Sequence, residues 1–155
     1  MDITPTLMTQ LEKQHVRYET IHHDSSISSL NTAHRAKIPA KQLVKPVVLH
    51  DAQGYVMALV PSNRYVYISK LNGLMHRNLE LITEDELVGL FNDCETGAIP
   101  PIGQAYGMQT VIDCELECCN EIYIEAGNHE DVVHMSGNAF HKLMSDCVYE
   151  DIAIH

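Results

Sequence analysis

A lysine lies inside an otherwise apolar segment of the chain. Lys45 is flanked by Leu43, Val44, Pro46 and Val47, and lysine is seldom fully buried in proteins unless it is paired. A rigid strand that holds this cation at the floor of a cleft would place it against a phosphate or a developing oxyanion. The alternative is structural, because the lysine of a strand can face water or guard a sheet edge next to a proline. Taken alone, Lys45 favours the structural interpretation.

A second candidate is the stiff loop of residues 97–103, which reads Gly-Ala-Ile-Pro-Pro-Ile-Gly. Pro100 and Pro101 fix φ and remove two N–H groups, while Gly97 and Gly103 permit positive φ and close approach of the backbone. The remaining N–H groups can point at one acceptor, as they do in an oxyanion hole. A rigid connection between a helix and a strand explains the loop equally well.

The cysteines and histidines do not follow a common metal-binding pattern. Cys114, Cys118 and Cys119, even with His129 and His134, lack the paired two-residue gaps of zinc ribbons and fingers. We therefore expect no metal and no other cofactor. The chain has five cysteines, an odd number that favours reduced thiols over a disulfide framework.

Cys94 is the cysteine best placed in the sequence to act as a nucleophile, because it lies close to the proline loop. Its neighbours Asp93 and Glu95 would raise the pKa of a thiol, whereas a nucleophile needs a lowered one. The chain also lacks a Walker loop, a dinucleotide fingerprint and a Gly-x-Ser-x-Gly elbow. These observations disfavour a cysteine hydrolase, a nucleotide-dependent enzyme and a serine hydrolase.

Charge is distributed unevenly along the chain. The net charge is −11, yet the residues up to Arg77 include nine basic and five acidic side chains, and those from Asn78 onward one basic and sixteen acidic. The densest basic run consists of Arg35, Lys37, Lys41 and Lys45. A solvated face is the usual fate of such a run, and a local phosphate-binding patch is the alternative. An acidic chain with a basic first half predicts weak nucleic-acid binding, confined to that half.

Bulk properties fit one soluble domain. The chain has 155 residues, 45% of them hydrophobic and 20% charged, which predicts a single domain over residues 1–155 with a proper core. No apolar run approaches the length of a membrane span, and the first residues do not read as a secretory signal. We expect a cytoplasmic protein.

Short helices and strands must position these segments. Helices are predicted over 4–15, 28–37, 69–76, 83–91 and 136–144, and strands over 17–22, 43–49, 55–60, 65–68, 79–82, 110–112, 121–126 and 131–135. Thr83 and Ser136 are expected as N-caps, and residues 50–54 as a hairpin loop. The irregular alternation predicts a mixed α/β or α+β domain, not a doubly wound parallel sheet.

Taken together, these segments resemble the YbaK-type aminoacyl-tRNA editing family, which includes the editing domain of bacterial prolyl-tRNA synthetases and free-standing relatives. The resemblance covers about residues 18–143. It rests on Ala33-His34-Arg35, Lys45 in the first central strand, Met-Ala-Leu-Val-Pro at 57–61, the segment 91–103, Val-Ile-Asp at 111–113 and Ala-Gly-Asn-His at 126–129.

The resemblance implies a compact domain with a curved, barrel-like mixed sheet flanked by helices. It also implies metal-independent hydrolysis of the ester between a small noncognate amino acid and the terminal ribose of tRNA, with tRNA-Pro as a candidate. In this family a lysine engages the tRNA end, and a Gly-x-x-x-Pro loop holds the aminoacyl carbonyl through backbone N–H groups. Water attacks the carbonyl with help from the ribose hydroxyl.

Site residues carry over from the family by position. The resemblance implies catalytic roles for Lys45, Gly97 and Pro101, and substrate-binding roles for Ala98, Ile99, Gly103, Asp113, His129 and Arg35. The implied partner is the acceptor end of a mischarged tRNA, together with an aminoacyl-tRNA synthetase. The alternative is a non-catalytic member that binds an aminoacyl or nucleotide ligand, or a protein partner, because a fold alone does not prove turnover.

Overall fold

Helices begin where the sequence supplies a side-chain cap. The computed structural model describes residues 3–24, 29–95 and 97–155. Its α-helices are α1 (Pro5–Lys13), α2 (Ser29–Ala36), α3 (Ile68–Met75), α4 (Glu84–Leu90) and α5 (Gly137–Leu143). Thr4, Thr83 and Ser136 each accept a hydrogen bond from the backbone N–H three residues further on, as N-cap side chains do. The predicted caps at Thr83 and Ser136 are therefore confirmed.

The described chain also contains ten strands. They are β1 (Glu19–His22), β2 (Val44–Asp51), β3 (Gly54–Pro61), β4 (Tyr65–Val66), β5 (Glu80–Leu81), β6 (Gln109–Asp113), β7 (Glu121–Glu125), β8 (Asp131–Ser136), β9 (Val148–Glu150) and β10 (Ala153–Ile154). Short 3-10 helices cover Ala40–Gln42, Gly103–Tyr106 and Cys114–Cys118.

The strands form a mixed sheet and two smaller sheets. The five-stranded sheet has the order β5-β2-β3-β6-β9, in which β2 is antiparallel to β3 and to β5, while β6 is parallel to β3 and to β9. An antiparallel three-stranded sheet has the order β1-β8-β7, and β4 pairs with β10. A parallel bridge between Leu43 and Tyr123 joins the start of β2 to β7.

The β2–β3 hairpin is tighter than predicted. Asp51 pairs with Gly54, so the connecting loop is two residues long instead of five. Arg77 stabilises the hairpin through a bidentate salt bridge, in which its Nε and Nη2 donate to the two carboxylate oxygens of Asp51 at 2.7 and 2.5 Å. The Arg77 side chain also holds the pKa of the Asp51 carboxyl well below its usual range.

Side chains of the central strands alternate between two apolar layers. Val44, Val48 and Leu59 belong to the larger layer, which packs against α1, α5 and the three-stranded sheet. Leu49 and Val60 belong to the smaller layer on the other face, beneath α3 and β4. Because side chains alternate along a strand, Lys45 falls on the face of the smaller layer.

The mixed α+β class predicted from the sequence is confirmed. Most helices and strands lie within a few residues of their predicted positions. The structure differs in two respects. The sheet is not closed, so the expected barrel is replaced by sheets that meet at the Leu43–Tyr123 bridge. The last two strands, β9 and β10, and the Cys114–Cys118 helix were not predicted, because such short segments carry too little periodicity.

Candidate active site

Lys45 is held in β2 opposite Val60 of β3. Its ammonium group donates a hydrogen bond to the carbonyl oxygen of Arg64 and lies 4.6 Å from the centroid of the Tyr65 ring. Burial lowers the pKa of Lys45. The charge is therefore half-buried and oriented by a carbonyl dipole and an aromatic face, an arrangement that differs from a freely solvated strand lysine.

The proline loop begins with a tight turn. The Ala98 N–H donates to the carbonyl oxygen of Glu95 at 3.1 Å, and Gly97 has a φ of 91°. A positive φ at the third position is what a type II turn requires, and glycine adopts it without steric strain. The sequence therefore bends sharply at Gly97, and the following Pro100 and Pro101 are buried and stiffen the exit from the turn.

Three backbone N–H groups of this loop have no hydrogen-bond acceptor among the described residues, those of Gly97, Ile99 and Gly103. The Ala98 N–H donates to the carbonyl oxygen of Glu95, and the Ile102 N–H donates to that of Pro100. Paired N–H donors on a stiff backbone are the ingredients of an oxyanion hole. Whether these N–H groups bind a substrate carbonyl stays a prediction.

Gly127 clamps the loop to the end of β7. Its carbonyl oxygen accepts from Glu95 N–H at 2.7 Å, and its N–H donates to the Ala98 carbonyl oxygen at 2.9 Å. A Cβ at Gly127 would lie 1.6 Å from Cγ2 of Thr4 and 3.2 Å from Cβ of Cys94. The close crossing of β7, the first helix and the loop therefore requires glycine here.

His129 lies in the connection that follows Gly127. Its Nε2 is 3.5 Å from a carboxylate oxygen of Glu95, at the start of the proline loop. Asn128 shapes this connection, because its side-chain oxygen accepts from the N–H groups of Glu130 and Asp131, both at 2.8 Å. The structure therefore brings His129 next to the loop.

Strand β7 links the lysine to the loop. Its residue Tyr123 forms an isolated parallel bridge with Leu43, which lies two residues before Lys45. Gly127, which holds the loop, lies two residues beyond Glu125, the last residue of β7. The start of β2 and the loop of residues 97–103, which are some fifty residues apart in the sequence, are therefore joined to the two ends of the segment 123–127.

Other residues assigned by resemblance have different surroundings. The Asp113 carboxylate is buried and accepts backbone N–H groups of Glu115, Ile152 and Ala153, so it anchors the last strand. Gly103 allows a close contact, since a Cβ there would lie 2.6 Å from Oγ1 of Thr110. These contacts describe structural roles for both residues.

Arg35 belongs to α2, but its side chain lies outside the described residues. Ser28, where this helix was predicted to begin, also lies outside the described residues. Lys37 and Lys41, from the same basic run, are exposed.

Cys94, the cysteine considered as a nucleophile, does not carry an activated thiol. Burial raises the pKa of Cys94 to about 12, and the Asp93 charge adds to the shift. The predicted unfavourable effect of the acidic neighbour is confirmed, although burial is the larger cause. A thiol of this kind is a poor nucleophile at neutral pH.

One cluster of potential metal ligands occurs among the described residues. It consists of Asp113, Cys114 and Asp151. Asp113 is already occupied by backbone N–H groups, and Asp151 accepts from Lys70 at 2.7 Å. The cluster therefore matches an internal polar network better than a metal centre, and it does not include the histidines considered from the sequence.

Sequence reasoning missed Glu125. This side chain is 1% exposed, and neither of its carboxyl oxygens has a hydrogen-bond partner in the described structure. Burial raises its pKa to about 8, and the neighbouring Thr32 opposes the shift. An acidic residue within the apolar run of β7 is the same kind of signal that singled out Lys45.

A family model for the aminoacyl-tRNA editing domain matches residues 25–143 of this chain. The chain therefore belongs to the aminoacyl-tRNA editing domain family. The family predicted by resemblance is thereby confirmed. A search of curated proteins found no significant match.

Solved structures share the whole fold at low sequence identity. The hypothetical protein APE2540 is 15% identical, with a TM-score of 0.84 over 96% of this chain and 99% of that one. A proposed trans-editing enzyme for prolyl tRNA synthetase is 18% identical, with a TM-score of 0.81 over 99% and 100% of the two chains.

A proposed signal transduction protein from Marinobacter aquaeolei VT8 is 20% identical, with a TM-score of 0.78. The alignment covers 97% of this chain and 30% of that one, so the present fold is a fraction of that larger protein. Among the described helices, none is both long and apolar enough to cross a membrane.

Proposed function

We propose that this protein is a trans-editing aminoacyl-tRNA deacylase that works in the cytoplasm. Its substrate is a tRNA carrying a small noncognate amino acid, and the bond it hydrolyses is the ester to the terminal ribose. Membership of the editing family supports this proposal. The proposed trans-editing role of a structural neighbour toward prolyl-tRNA synthetase makes tRNA-Pro the first tRNA to test.

The observation that carries the proposal is the pair of N–H groups at Gly97 and Ile99. Both lack an acceptor among the described residues, and the stiff turn around them is clamped to Gly127. When water adds to the ester carbonyl, the carbonyl oxygen becomes an anion, and preorganised N–H donors stabilise it. Collapse of this intermediate breaks the bond to the ribose oxygen, which leaves as a hydroxyl after taking up a proton.

Lys45 holds the tRNA end in this proposal. Its ammonium group is positioned by the Arg64 carbonyl and the Tyr65 ring, and a half-buried cation attracts a phosphate more strongly than a solvated one. The terminal nucleotide would then lie along β2 while the aminoacyl carbonyl reaches the loop. Pro101 stiffens the loop, and His129 lies beside Glu95, two residues before the loop begins. No step in this mechanism uses a metal ion.

The test is a deacylation screen under multiple turnover. Alanyl, cysteinyl, seryl and threonyl esters on tRNA-Pro and on several other tRNAs should include at least one substrate whose hydrolysis exceeds the uncatalysed rate. Activity should survive exhaustive chelation, whereas a metal-dependent hydrolase would lose it. Binding of aminoacyl-tRNA without turnover on any of these substrates would identify a non-catalytic module instead.

Contact with the tRNA body should be weak and confined to the basic first half of the chain. The expected patch consists of Arg35, Lys37 and Lys41. Neutralising all three should reduce the salt dependence of kcat/KM, since each lost phosphate contact lowers the logarithmic slope by roughly one unit. An unchanged slope in the triple variant would place the tRNA elsewhere, and association with a synthetase would then be the next source of affinity to examine.

A further inference from the structure

Glu125 is a buried acid without the partners that burial normally demands. It is 1% exposed, and both of its carboxyl oxygens lack a hydrogen-bond partner in the described chain. Leaving a buried polar group unpaired destabilises a protein, so the great majority of such groups in native proteins are satisfied. Thr32 lies near Glu125 and favours its ionised form, but no cation among the described residues balances the charge of this carboxylate, so a positively charged ligand would suit the position.

A second orphaned atom lies on the same face of the three-stranded sheet. Ile21, Val132 and Glu125 form one cross-strand row, and His23 continues that face past the end of β1, where its N–H donates to the Glu130 carbonyl at 2.7 Å. His23 is 5% exposed, and its Nε2 has no partner in the described structure.

The atoms without partners are all hydrogen-bond acceptors, and this limits the ligand groups that they can bind. The Nδ1 of His23 is 2.6 Å from the carbonyl oxygen of Asp24, which can only accept, so Nδ1 carries the proton and Nε2 of the neutral ring is an acceptor. The two oxygens of ionised Glu125 are acceptors as well. Three acceptors on one face call for a group that is rich in donors, and a primary ammonium has three N–H donors and a positive charge.

The position of Glu125 matches the position of such a group in an aminoacyl ester. Glu125 is two residues before Gly127, whose backbone holds the turn that presents the Gly97 and Ile99 N–H groups. In an aminoacyl ester one carbon atom separates the α-ammonium group from the carbonyl carbon. A substrate whose carbonyl oxygen meets the loop therefore carries its ammonium group close to the loop, and the residues that follow β7 border the loop at Gly127.

We propose that Glu125, assisted by His23, binds the α-ammonium group of the aminoacyl ester. This inference rests on the proposed function and adds to it the recognition of a free amine. Burial raises the pKa of empty Glu125 to about 8, and a cationic ligand would favour its ionised form. The interaction would be shared by every aminoacyl-tRNA, so the choice among amino acid side chains is made elsewhere in the pocket.

The experiment compares a free amine with its acetylated form. One aminoacyl-tRNA substrate from the deacylation screen and its N-acetyl derivative carry the same ester, but acetylation removes the charge. When each kcat/KM is divided by the uncatalysed hydrolysis rate of the same ester, wild-type protein should prefer the free amine by about 30-fold or more, in line with the loss of a buried, charge-assisted hydrogen bond. Glu125→Gln should lower kcat/KM for the free amine by a similar factor and bring the preference close to one.

Glu130→Gln is the matched control, because it removes the same charge from a nearby position and should keep the preference. His23→Phe should reduce the preference less than Glu125→Gln does, since it removes a neutral acceptor. If wild-type protein hydrolyses the free and acetylated substrates equally well, the proposal is wrong. It is also wrong if Glu125→Gln affects only substrates with a side-chain hydroxyl and leaves the acetylation ratio unchanged.

A binding measurement separates this inference from the proposed function. Adenosine bearing an alanyl group through a 3′-amide cannot undergo ester hydrolysis, and calorimetry can compare it with its N-acetyl form. Tighter binding of the free amine to wild-type protein but not to Glu125→Gln would support the inference even if no tRNA is deacylated. Equal binding of the two compounds to wild-type protein would overturn the inference while leaving deacylation intact.

Discussion

Two neighbouring cross-strand rows of the three-stranded sheet differ in how their polar side chains are hydrogen-bonded. In one row, His134 of β8 has both ring nitrogens 2.6 Å from carboxylates, those of Glu19 and Glu121, and its ring stacks on Tyr123 at 4.5 Å. In the next row on the same face, Glu125 has no hydrogen-bond partner among the described residues. The polar side chains of the first row are hydrogen-bonded to one another, whereas the carboxyl group of Glu125 in the second row is not hydrogen-bonded within the described chain.

This difference indicates that the His134 row stabilises the sheet, whereas the Glu125 row can bind a ligand. A satisfied network such as that of His134 stabilises the sheet and offers nothing to a ligand. An unsatisfied buried group destabilises the empty protein and gains its partner only when a ligand binds. Glu125 ends β7, and the Gly97 and Ile99 N–H groups, which have no acceptor among the described residues, belong to the loop held by Gly127. The half-buried Lys45 lies in β2, whose start is bridged to β7. We expect substitutions on this side to change activity, and substitutions around His134 to change stability.

The largest expected effect is that of Lys45→Ala on activity. Losing one electrostatic donor from the site should lower deacylation by about 10²-fold or more, while the protein stays folded because removing a partly desolvated charge need not destabilise it. Lys45→Arg should also be impaired, since a planar guanidinium does not replace a compact ammonium. Lys70→Ala, at an exposed salt bridge away from the site, serves as the control. A folded Lys45→Ala protein with near-normal deacylation would return Lys45 to a structural role.

A smaller effect is expected for Gly97→Ala. The φ of 91° at Gly97 strains any other residue, so the turn should shift and misplace the N–H donors, with a loss of about 10-fold or more in kcat. Gly54→Ala is the matched control, because Gly54 also has a positive φ of 129° but lies in the β2–β3 hairpin. Both variants should lose similar stability in urea unfolding. Equal activity in the two variants would contradict the role of the loop.

Glu125 should give the protein a characteristic dependence of stability on pH. Its folded-state pKa of about 8 lies above the ordinary value of 4.5, so its contribution is fully present below pH 4.5 and is lost as the pH rises toward 8. Relative to Glu125→Gln, the wild-type free energy of unfolding should fall by roughly 3 kcal/mol between pH 5 and pH 8. Urea titrations at both pH values measure this. A constant difference would show that Glu125 is solvated or paired in solution.

His134 should show the opposite dependence. Burial opposes protonation, but the hydrogen bonds with Glu19 and Glu121 raise the pKa of His134 above its ordinary value of 6.5. The stabilisation is therefore present below pH 6.5 and is lost as the pH rises through the raised pKa. Compared with His134→Gln, the wild-type advantage should be about 1 kcal/mol at pH 5.5 and smaller at pH 8.5, since partly exposed pairs are worth little. Deacylation measured at one pH should be similar in the two proteins.

Local chemistry made much of the fold predictable. The caps at Thr83 and Ser136 and the apolar alternation of β2 and β3 depend on residues close together in the chain, so the sequence reports them directly. The turn at Gly97 is of the same kind, because glycine followed by two prolines leaves the backbone few conformations. The short strands β9 and β10 escaped prediction, since their existence depends on partners β6 and β4 far away in the sequence.

The sequence by itself determined the family, the stiff proline loop and the unusual lysine in an apolar strand. Only the tertiary structure decided which polar groups are satisfied. Asp113 and Glu125 are both acidic residues at the end of an apolar strand, yet Asp113 accepts three backbone N–H groups and Glu125 lacks a partner in the described chain. That difference depends on which distant segments fold against each side chain, because hydrogen bonds form only within about 3 Å. The spacing of residues along the chain does not show which residues come this close in the folded protein.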